Sequence, residues 1–258
     1  MRFATGKDCE TLDGKWYNQL GSEIILKHEN DGRLLGEYRT AVERHPGAAG
    51  KTHSTVLGSA PYEYPGAAFA FSVVYRNGSS TAVWTGQCLV CEDGHETLLT
   101  SWLLRAKVDT YIDKWKSTTI GRDTFTRHEQ RDGPRQQTET NAAEAPPTET
   151  WNPDGQNEPC NLNGNWYNDL GSEMILKQEE GSVIKGEYRT AVERETGAAG
   201  TSYSNVLCTG QLGGPSSTFA FFVVWRNGAS VTDGWGSVTS VVRIKQRSSK
   251  ARGYCGAR

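Results

Sequence analysis

Short segments in which apolar and polar residues alternate follow one another along the first half of the chain. Each segment combines β-branched or aromatic residues with polar ones, and Gly, Asn, Asp or Pro occupies the gaps. This pattern is typical of β-strands joined by tight turns. It predicts eight strands: GKWYNQL, SEIILKHE, LLGEYRTAVE, THSTVLGSA, AAFAFSVVYR, TAVWTGQCLV, TLLTSWLLRA and WKSTTIGRDTFTRHE.

The short gaps predict an antiparallel meander, because parallel strands would need long crossover connections. Closing eight strands into a barrel removes the exposed sheet edges and leaves an interior that can hold one small ligand. The predicted fold class is therefore all-β, with an eight-stranded antiparallel up-and-down β-barrel at the start of the chain.

The same block of sequence occurs a second time. GKWYNQLGSEIILKHEN begins at Gly14 and GNWYNDLGSEMILKQEE begins at Gly164, an offset of 150 residues. Self-similarity of this length indicates a duplicated domain. The likeness fades after about Ser230, so we expect the second copy to have six strands. Six strands do not close an eight-stranded barrel, and we expect an open sheet with two free edges.

We divide the chain into a complete barrel (9–129), a flexible linker (130–159), an incomplete repeat (160–236) and a basic tail (237–258). The linker is polar and contains proline, and thirty such residues span roughly 30 Å. The two repeats could therefore lie in different subunits of an assembly. The tail region includes VTSVVRI, one possible strand.

The composition narrows the function. The chain has 258 residues, 28 basic and 30 acidic, with a net charge of −2. We therefore expect no nucleic-acid partner and no membrane partner. Eight Trp and ten Tyr suggest a ligand pocket lined by aromatic rings, with core filling as the alternative. The residues offer no nucleophile–base arrangement, phosphate loop or metal cluster, so we expect no enzyme, no catalytic residue and no metal site.

Five ordered motifs carry a resemblance to a known family. They are GKWYNQLGS (14–22), GEYRTAV (36–42), WTGQC (84–88), SWLLR (101–105) and WKSTTIGRDTFTR (115–127). Over its whole length the first repeat resembles the avidin/streptavidin family of biotin-binding β-barrels. The resemblance implies non-catalytic, high-affinity binding of biotin in the open end of the barrel, for biotin sequestration or antimicrobial defence.

The resemblance also implies the polar contacts of such a site. Asn18, Ser22 and Tyr38 match the residues that converge on the ureido carbonyl of biotin. Thr40 and Asp123 match the acceptors of the ureido N–H groups. An ionised Asp would make the stronger, charge-assisted bond.

The walls and the rim follow from the same resemblance. Tyr75, Trp84 and Trp102 stand at the wall positions, and Ser80 stands where the carboxylate tail is bound. Trp115 matches the Trp that family members lend to a neighbouring subunit. Its presence predicts a homo-oligomer, either a tetramer or a dimer.

Two positions depart from the family pattern. Tyr75 stands where well-known members carry Trp, and Ala82 stands where they carry a Thr that bonds the ring sulfur. The loss of one such bond, worth about 1 kcal/mol, weakens binding without abolishing it. The loop Glu43–Gly50, rich in Gly and Ala, would order over the ligand.

The second repeat keeps part of this pattern, and at the two departing positions it has Trp225 and Thr232. We expect no tight biotin binding by this repeat alone. Three explanations for its incompleteness stay open: an error in the predicted gene, completion by another chain or by VTSVVRI, and degeneration. The retained positions are Asn168, Ser172, Tyr188, Thr190, Trp225 and Ser230.

The cysteines bear on the compartment. Cys88 and Cys91 form a CxxC at the end of a strand pattern, and no helix follows, which disfavours a redox motif. Our preferred interpretation is a structural disulfide between Cys9 and Cys88, which implies an oxidising compartment and a secreted protein. The absence of an apolar signal core after Met1 argues against secretion. Intermolecular bridges are open to the remaining cysteines: Cys91, Cys160, Cys208 and Cys255.

Two alternatives to biotin binding remain at this point. One is a barrel of the same fold that has drifted to another small ligand, as the changes at Tyr75 and Ala82 allow. The other is a structural or adhesion protein that is cross-linked through its cysteines.

Overall fold

The computed structural model describes residues 9–64, 66–108, 111–130, 162–179, 183–193, 196–200, 203–210, 216–226 and 230–239. The predicted linker 130–159 lies outside these residues except for Gln130, and the predicted tail 237–258 lies outside them from residue 240 onward. Within the described ranges, no helix has the length and apolar character needed to cross a membrane.

The first eight strands form a closed barrel in which all neighbours are antiparallel, and the predicted fold class is confirmed. The barrel closes where β1 pairs with β8, through Tyr17↔Thr126 and Asn18↔Phe125. A 3₁₀ helix, η1 (Arg76–Gly78), follows β5, and a second one, η2 (Tyr111–Lys116), follows β7. The strands are β1 (Gly14–Asn18), β2 (Glu23–His28), β3 (Arg33–Arg39), β4 (Ser54–Ser59), β5 (Ala68–Tyr75), β6 (Ser80–Val90), β7 (Glu96–Ala106) and β8 (Thr118–Thr126).

Side chains close one end of the barrel. Trp16 is fully buried, and its Nε1 donates to the carbonyl of Leu12 at 2.9 Å. The guanidinium carbon of Arg127 lies 3.5 Å from the centroid of the same ring. A disulfide between Cys9 and Cys88 joins the segment before β1 to β6. This packing leaves the opposite end, where β1 finishes, available for a ligand.

The second repeat forms an open six-stranded sheet, as its strand count predicts. Although likeness to the first repeat fades after Ser230, β14 pairs with β13 from Trp225↔Ser230 to Ser216↔Thr239, because backbone hydrogen bonds do not require a particular side chain. Of VTSVVRI, only the first two residues are described, as the end of β14. The strands are β9 (Gly164–Tyr167), β10 (Glu173–Gln178), β11 (Val183–Arg189), β12 (Ser204–Gly210), β13 (Ser216–Trp225) and β14 (Ser230–Thr239).

The outer face of the second sheet packs against the outer face of the first barrel. Strands β12, β13 and β14 contact β5, β6 and β7. A buried cluster of Ala70, Val83, Ala220 and Phe222 lies between them. The linker would allow the two repeats to occupy different subunits, but in this structure they pack together within one chain.

Candidate functional site

A cavity of about 510 Å³ occupies the open end of the first barrel. Its volume is in the range of roughly 300–1,000 Å³ that is usual for small-ligand sites. The loop between β3 and β4 borders its mouth. Eight of the ten residues that the family resemblance implies line this cavity: Asn18, Tyr38, Thr40, Tyr75, Ser80, Trp84, Trp102 and Asp123.

Asn18 ends β1 and shapes the turn that follows. Its Oδ1 accepts hydrogen bonds from the backbone N–H groups of Leu20 at 3.1 Å and Ser22 at 2.8 Å, which is an Asn-stabilised turn. The Nδ2 group is buried and has no partner within the described structure. A buried donor without a partner destabilises a protein by about 1–3 kcal/mol. A ligand that places an acceptor beside this group would remove that penalty, which favours binding.

Ser22 does not line the cavity but holds a residue that does. Ser22 is fully buried, and its Oγ accepts a hydrogen bond from the backbone N–H of Ala41 at 3.0 Å. Its hydroxyl is also hydrogen-bonded to that of Tyr38. Burial raises the pKa of Tyr38, and the charge of Asp123 raises it further. The phenol therefore keeps its proton near neutral pH and can donate it in a hydrogen bond.

Asp123, on β8, completes the polar floor of the cavity and is 4% exposed. Its Oδ2 accepts from Nε1 of Trp84 at 3.1 Å, and its Oδ1 accepts from Nε2 of Gln19 at 3.2 Å. Each carboxylate oxygen can accept one more bond, so ligand N–H groups can be received here.

Gln19 is a positioning residue that the sequence patterns did not single out. Its Nε2 donates to Asp123, and its Oε1 accepts from the backbone N–H of Thr124 at 2.9 Å. The side chain thus ties the turn after β1 to β8. Its place directly after Asn18 in WYNQL was the one signal available.

Thr40 begins the loop at the mouth of the cavity. Its Oγ1 donates to the carbonyl of Val42 at 2.7 Å and accepts from the N–H of the same residue at 3.2 Å. The carboxylate of Glu43 accepts from the N–H groups of Gly47 at 3.0 Å and Ala49 at 3.2 Å. These bonds give the loop a defined conformation beside the cavity.

Basic side chains cluster at the mouth. Arg44, Arg76 and Lys107 all line the opening, and none of them forms a salt bridge within the described part of the chain. Arg76 has a left-handed φ of 39°, which is uncommon for a residue other than glycine. The corresponding Arg226 of the second repeat has a φ of 46°. These three basic groups outnumber the one carboxylate of the mouth, that of Glu43, and the excess positive charge favours a ligand with an anionic tail.

Aromatic rings form the walls. The ring of Tyr38 lies 5.1 Å from that of Trp84 and 6.3 Å from that of Tyr75, measured between centroids. Trp84 in turn stacks on Phe71 at 5.1 Å. The Nε1 of Trp102 is buried without a partner in the described structure. The walls are therefore apolar and held in place by ring contacts from behind.

Gly121 is a second residue that sequence reasoning missed. A Cβ atom added at this position of β8 would lie 2.3 Å from Cζ2 of Trp102, well inside van der Waals contact. The absence of a side chain lets Trp102 lie against the strand. A glycine inside a strand often marks such a close approach and was the available signal.

Trp115 lies apart from the cavity of its own barrel. It belongs to η2 and is 81% exposed, and the nearby Ile112 and Ile120 are 83% and 73% exposed. Exposed apolar side chains of this kind often mark contact surfaces. The role of Trp115 in the pocket of a neighbouring subunit stays a prediction.

The second repeat reproduces the local hydrogen bonds of the site. The Oδ1 of Asn168 accepts from the N–H groups of Leu170 at 3.0 Å and Ser172 at 2.9 Å. Its Nδ2 donates to the hydroxyl of Tyr188 at 3.4 Å. The hydroxyl of Thr190 donates to the carbonyl of Val192 at 2.6 Å, as Thr40 does in the first repeat.

The described part of the second repeat does not enclose its candidate binding residues. Asn168 and Ser230 are exposed, and Tyr188 and Trp225 are half-buried. Cα pairing places Gly234 opposite Phe221, where the first repeat places Trp84 opposite Phe71. The wall that Trp84 forms in the first repeat therefore has no counterpart at this register.

A model of the avidin family matches residues 6–128 and 156–246. The chain belongs to the avidin family. The two matched regions agree with tandem avidin-like copies. Members of the avidin family are non-catalytic binding proteins.

The matches to individual relatives are about as long as one repeat. Avidin-related protein 1 of Gallus gallus is 42% identical over 118 residues, which is 45% of this chain and 77% of that protein. Fibropellin-1 of Strongylocentrotus purpuratus is 40% identical over 124 residues, or 48% of this chain. The match spans 11% of fibropellin-1 and 21% of fibropellin-3.

Two solved structures are also similar to part of the chain. Xenavidin is 35% identical, with a TM-score of 0.43, and the match covers 47% of this chain and 100% of Xenavidin. A biotin binding protein from chicken is 36% identical, with a TM-score of 0.42, and the match covers 47% of this chain and 98% of that protein.

Proposed function

We propose that the first barrel binds biotin in its open end. The observation that carries the proposal is the buried, unpaired Nδ2 of Asn18 in the same polar floor as the Tyr38 hydroxyl and the Asp123 carboxylate. A cyclic urea suits this floor, because its carbonyl accepts hydrogen bonds and its two N–H groups donate them. Asn18 and Tyr38 would serve the carbonyl, with Ser22 holding the Tyr38 hydroxyl in place, and Thr40 and Asp123 would accept from the N–H groups.

The rest of the cavity suits the rest of biotin. The fused rings would lie between Tyr75, Trp84 and Trp102, which bury apolar surface. The carboxylate would reach Ser80 and the basic mouth. Membership of the avidin family supports the same ligand class.

A second candidate is a related small ligand that differs from biotin near the ring sulfur. In the second repeat, Nε1 of Trp225 donates to Oγ1 of Thr232 at 2.8 Å. The first repeat has Tyr75 and Ala82 at these two positions, so both partners of that bond are changed together. Competition between biotin and a dye that reports pocket occupancy distinguishes the two candidates.

Burial disfavours cross-linking through the two free cysteines in the described part of the chain, whereas Cys160 and Cys255 lie outside the described residues. Cys91 and Cys208 are free but buried, and burial raises the pKa of the Cys208 thiol, which lowers its reactivity. The Cys9–Cys88 disulfide supports an extracellular location. We further propose secretion, homo-oligomers that use Trp115, and a role in biotin sequestration or antimicrobial defence.

Calorimetric titration of the full-length chain with biotin tests the proposal. We expect one site per chain, located in the first barrel. The variant Asp123→Asn, which keeps the shape of the side chain but removes its charge, should weaken binding by roughly 10- to 100-fold. No heat of binding from folded wild-type protein would reject the proposal, and two equal sites would reject its assignment to the first barrel alone.

A further inference from the structure

Two strands of the first barrel are buried on both faces. Phe69 and Phe71 of β5 point into the barrel, so the intervening Ala70 and the next outward residue, Ser72, point away from it. Both outward residues are 0% exposed, and so is Thr81 on the outer face of β6. Strands that are covered on both sides need a second layer of structure, and here that layer is the second repeat.

Buried hydroxyl groups join the two layers. The Oγ1 atoms of Thr81 and Thr218 lie 2.7 Å apart, and the carbonyl oxygen of Thr218 lies 3.3 Å from Oγ1 of Thr81, which can donate to either acceptor. Oγ1 of Thr218 lies 3.1 Å from the carbonyl oxygen of Gly78, to which it can donate. Oγ1 of Thr209 donates to Oγ of Ser72 at 2.6 Å. Each of these buried hydroxyls has a partner, as a specific interface requires.

The contact brings together the same face of both repeats. Ala70 and Ala220 are equivalent under the 150-residue offset, and they belong to one buried cluster. Strand β13 is likewise the counterpart of β5, and β14 is the counterpart of β6. This is the arrangement of a two-fold pair of like domains, formed here inside a single chain.

The residues across this contact would not be matched between two first repeats. Phe222 is fully buried in the interface, and its counterpart in the first repeat is Ser72. Two first barrels that paired in this way would lack the phenyl ring that fills the contact. The counterpart of Thr218 is Ala68, so Thr81 would also lose its 2.7 Å hydroxyl partner. Complementarity that is divided between two surfaces gives specificity for the unlike pair.

We propose that the second repeat serves as an in-chain partner subunit for the first barrel. It covers the outer face of β5, β6 and β7, and its Phe222 and Thr218 are adapted to that face. Pairing across this face is therefore intramolecular, and it is favoured over pairing of two first barrels. This role does not depend on whether the second repeat binds a ligand.

A disulfide trap tests which chain supplies the partner. The full-length double variant Thr81→Cys/Thr218→Cys brings two thiols together where the hydroxyls now meet, and each single variant is its control. With a protease site placed in the linker, we expect the oxidised double variant to run at monomer mass before cleavage. After cleavage, its two halves should stay joined until reduction. A band at dimer mass, or halves that separate without reduction, would overturn the proposal.

A labelling experiment tests the role of Phe222. In full-length Thr81→Cys, the new thiol should react slowly with a maleimide, because the second sheet covers it. Adding Phe222→Ser, which introduces the first-repeat residue, should accelerate this labelling at least tenfold, as read by mass spectrometry of the labelled peptide. Val192→Ser is the control, since Val192 is 51% exposed, and it should leave the rate unchanged. Fast labelling of Cys at this position without Phe222→Ser would show an open face and reject the proposal.

Discussion

The two repeats contain the same turn but place it in different surroundings. The side-chain oxygens of Asn18 and Asn168 accept hydrogen bonds from equivalent backbone N–H groups, which lie two and four residues later in the chain. Asn18 is 1% exposed at the floor of a cavity, whereas Asn168 is exposed at the edge region of an open sheet. The difference comes from β7 and β8, which contribute Trp102 and Asp123 and close the first barrel.

The hydrogen-bonding groups of the turn therefore form independently of the closed environment that a ligand needs. Local sequence produces the turn in both repeats. Exclusion of water, which strengthens polar contacts, is produced only by the closed barrel. The second repeat is therefore a natural control for substitutions at the site residues that it retains, such as Asn18.

Removing the equivalent side-chain amide from each repeat should give the largest difference in biotin affinity between two matched variants. Asn18→Ala and Asn168→Ala each delete the two turn bonds, but only Asn18→Ala deletes the unpaired Nδ2 of the cavity. We expect Asn18→Ala to weaken biotin binding by roughly 10- to 100-fold, because a buried polar group of the ligand is left unpaired. Asn168→Ala should leave the affinity unchanged. Equal losses of affinity for the two variants in calorimetry would contradict the assignment of the site to the closed barrel.

A methyl group at Gly121 should disturb a wall of the first barrel that the described part of the second repeat does not contain. Gly121→Ala places its Cβ against Trp102 and should destabilise the barrel by about 1–3 kcal/mol, as overpacking does. Biotin affinity should fall with it, because Trp102 is displaced. Urea unfolding and titration measure the two effects. Thr119→Ala, at an exposed position of the same strand, should change neither, and an unaltered Gly121→Ala would refute the account.

Alkaline pH should weaken the closed barrel. Burial raises the pKa values of Tyr38 and Tyr75, so both stay neutral in the folded state at pH values where an unfolded tyrosine ionises. Their contribution is complete below pH 10 and is lost above it, by up to about 1.4 kcal/mol per pH unit for each group. Tyr38→Phe should reduce the slope of unfolding free energy against pH between 10 and 11.5. The same slope in both proteins would mean that Tyr38 is not protected.

Introducing a hydrogen-bonded pair of the second repeat into the first barrel should have the smallest effect on biotin binding, and it should strengthen the binding. Tyr75→Trp/Ala82→Thr recreates the pair Trp225–Thr232 in the first cavity. If biotin is the ligand, one additional neutral bond near the ring sulfur should tighten binding about fivefold, equivalent to about 1 kcal/mol. Weaker binding in a direct titration would favour the second candidate, a ligand adapted to Tyr75.

The strand pattern and the motifs predicted a large part of the fold. Alternating residues predicted the eight strands, and the count of six predicted the open second sheet. The motifs predicted residues that the structure brings to one cavity, such as Asn18 and Asp123, which are 105 positions apart in sequence. Gln19 and Gly121 were missed, because their roles lie in contacts with β8 and with Trp102 that no local pattern reveals.

The sequence by itself determined the strands, the turns and the duplication, because alternation and turn residues act over a few neighbouring positions. Only the tertiary structure decided how the two repeats meet. The outward residues Ala70, Ser72 and Thr81 are small or polar and give no local sign of burial, yet all are fully buried against the second repeat. Burial of an outer sheet face depends on a partner more than a hundred residues away, so packing decides it and periodicity does not.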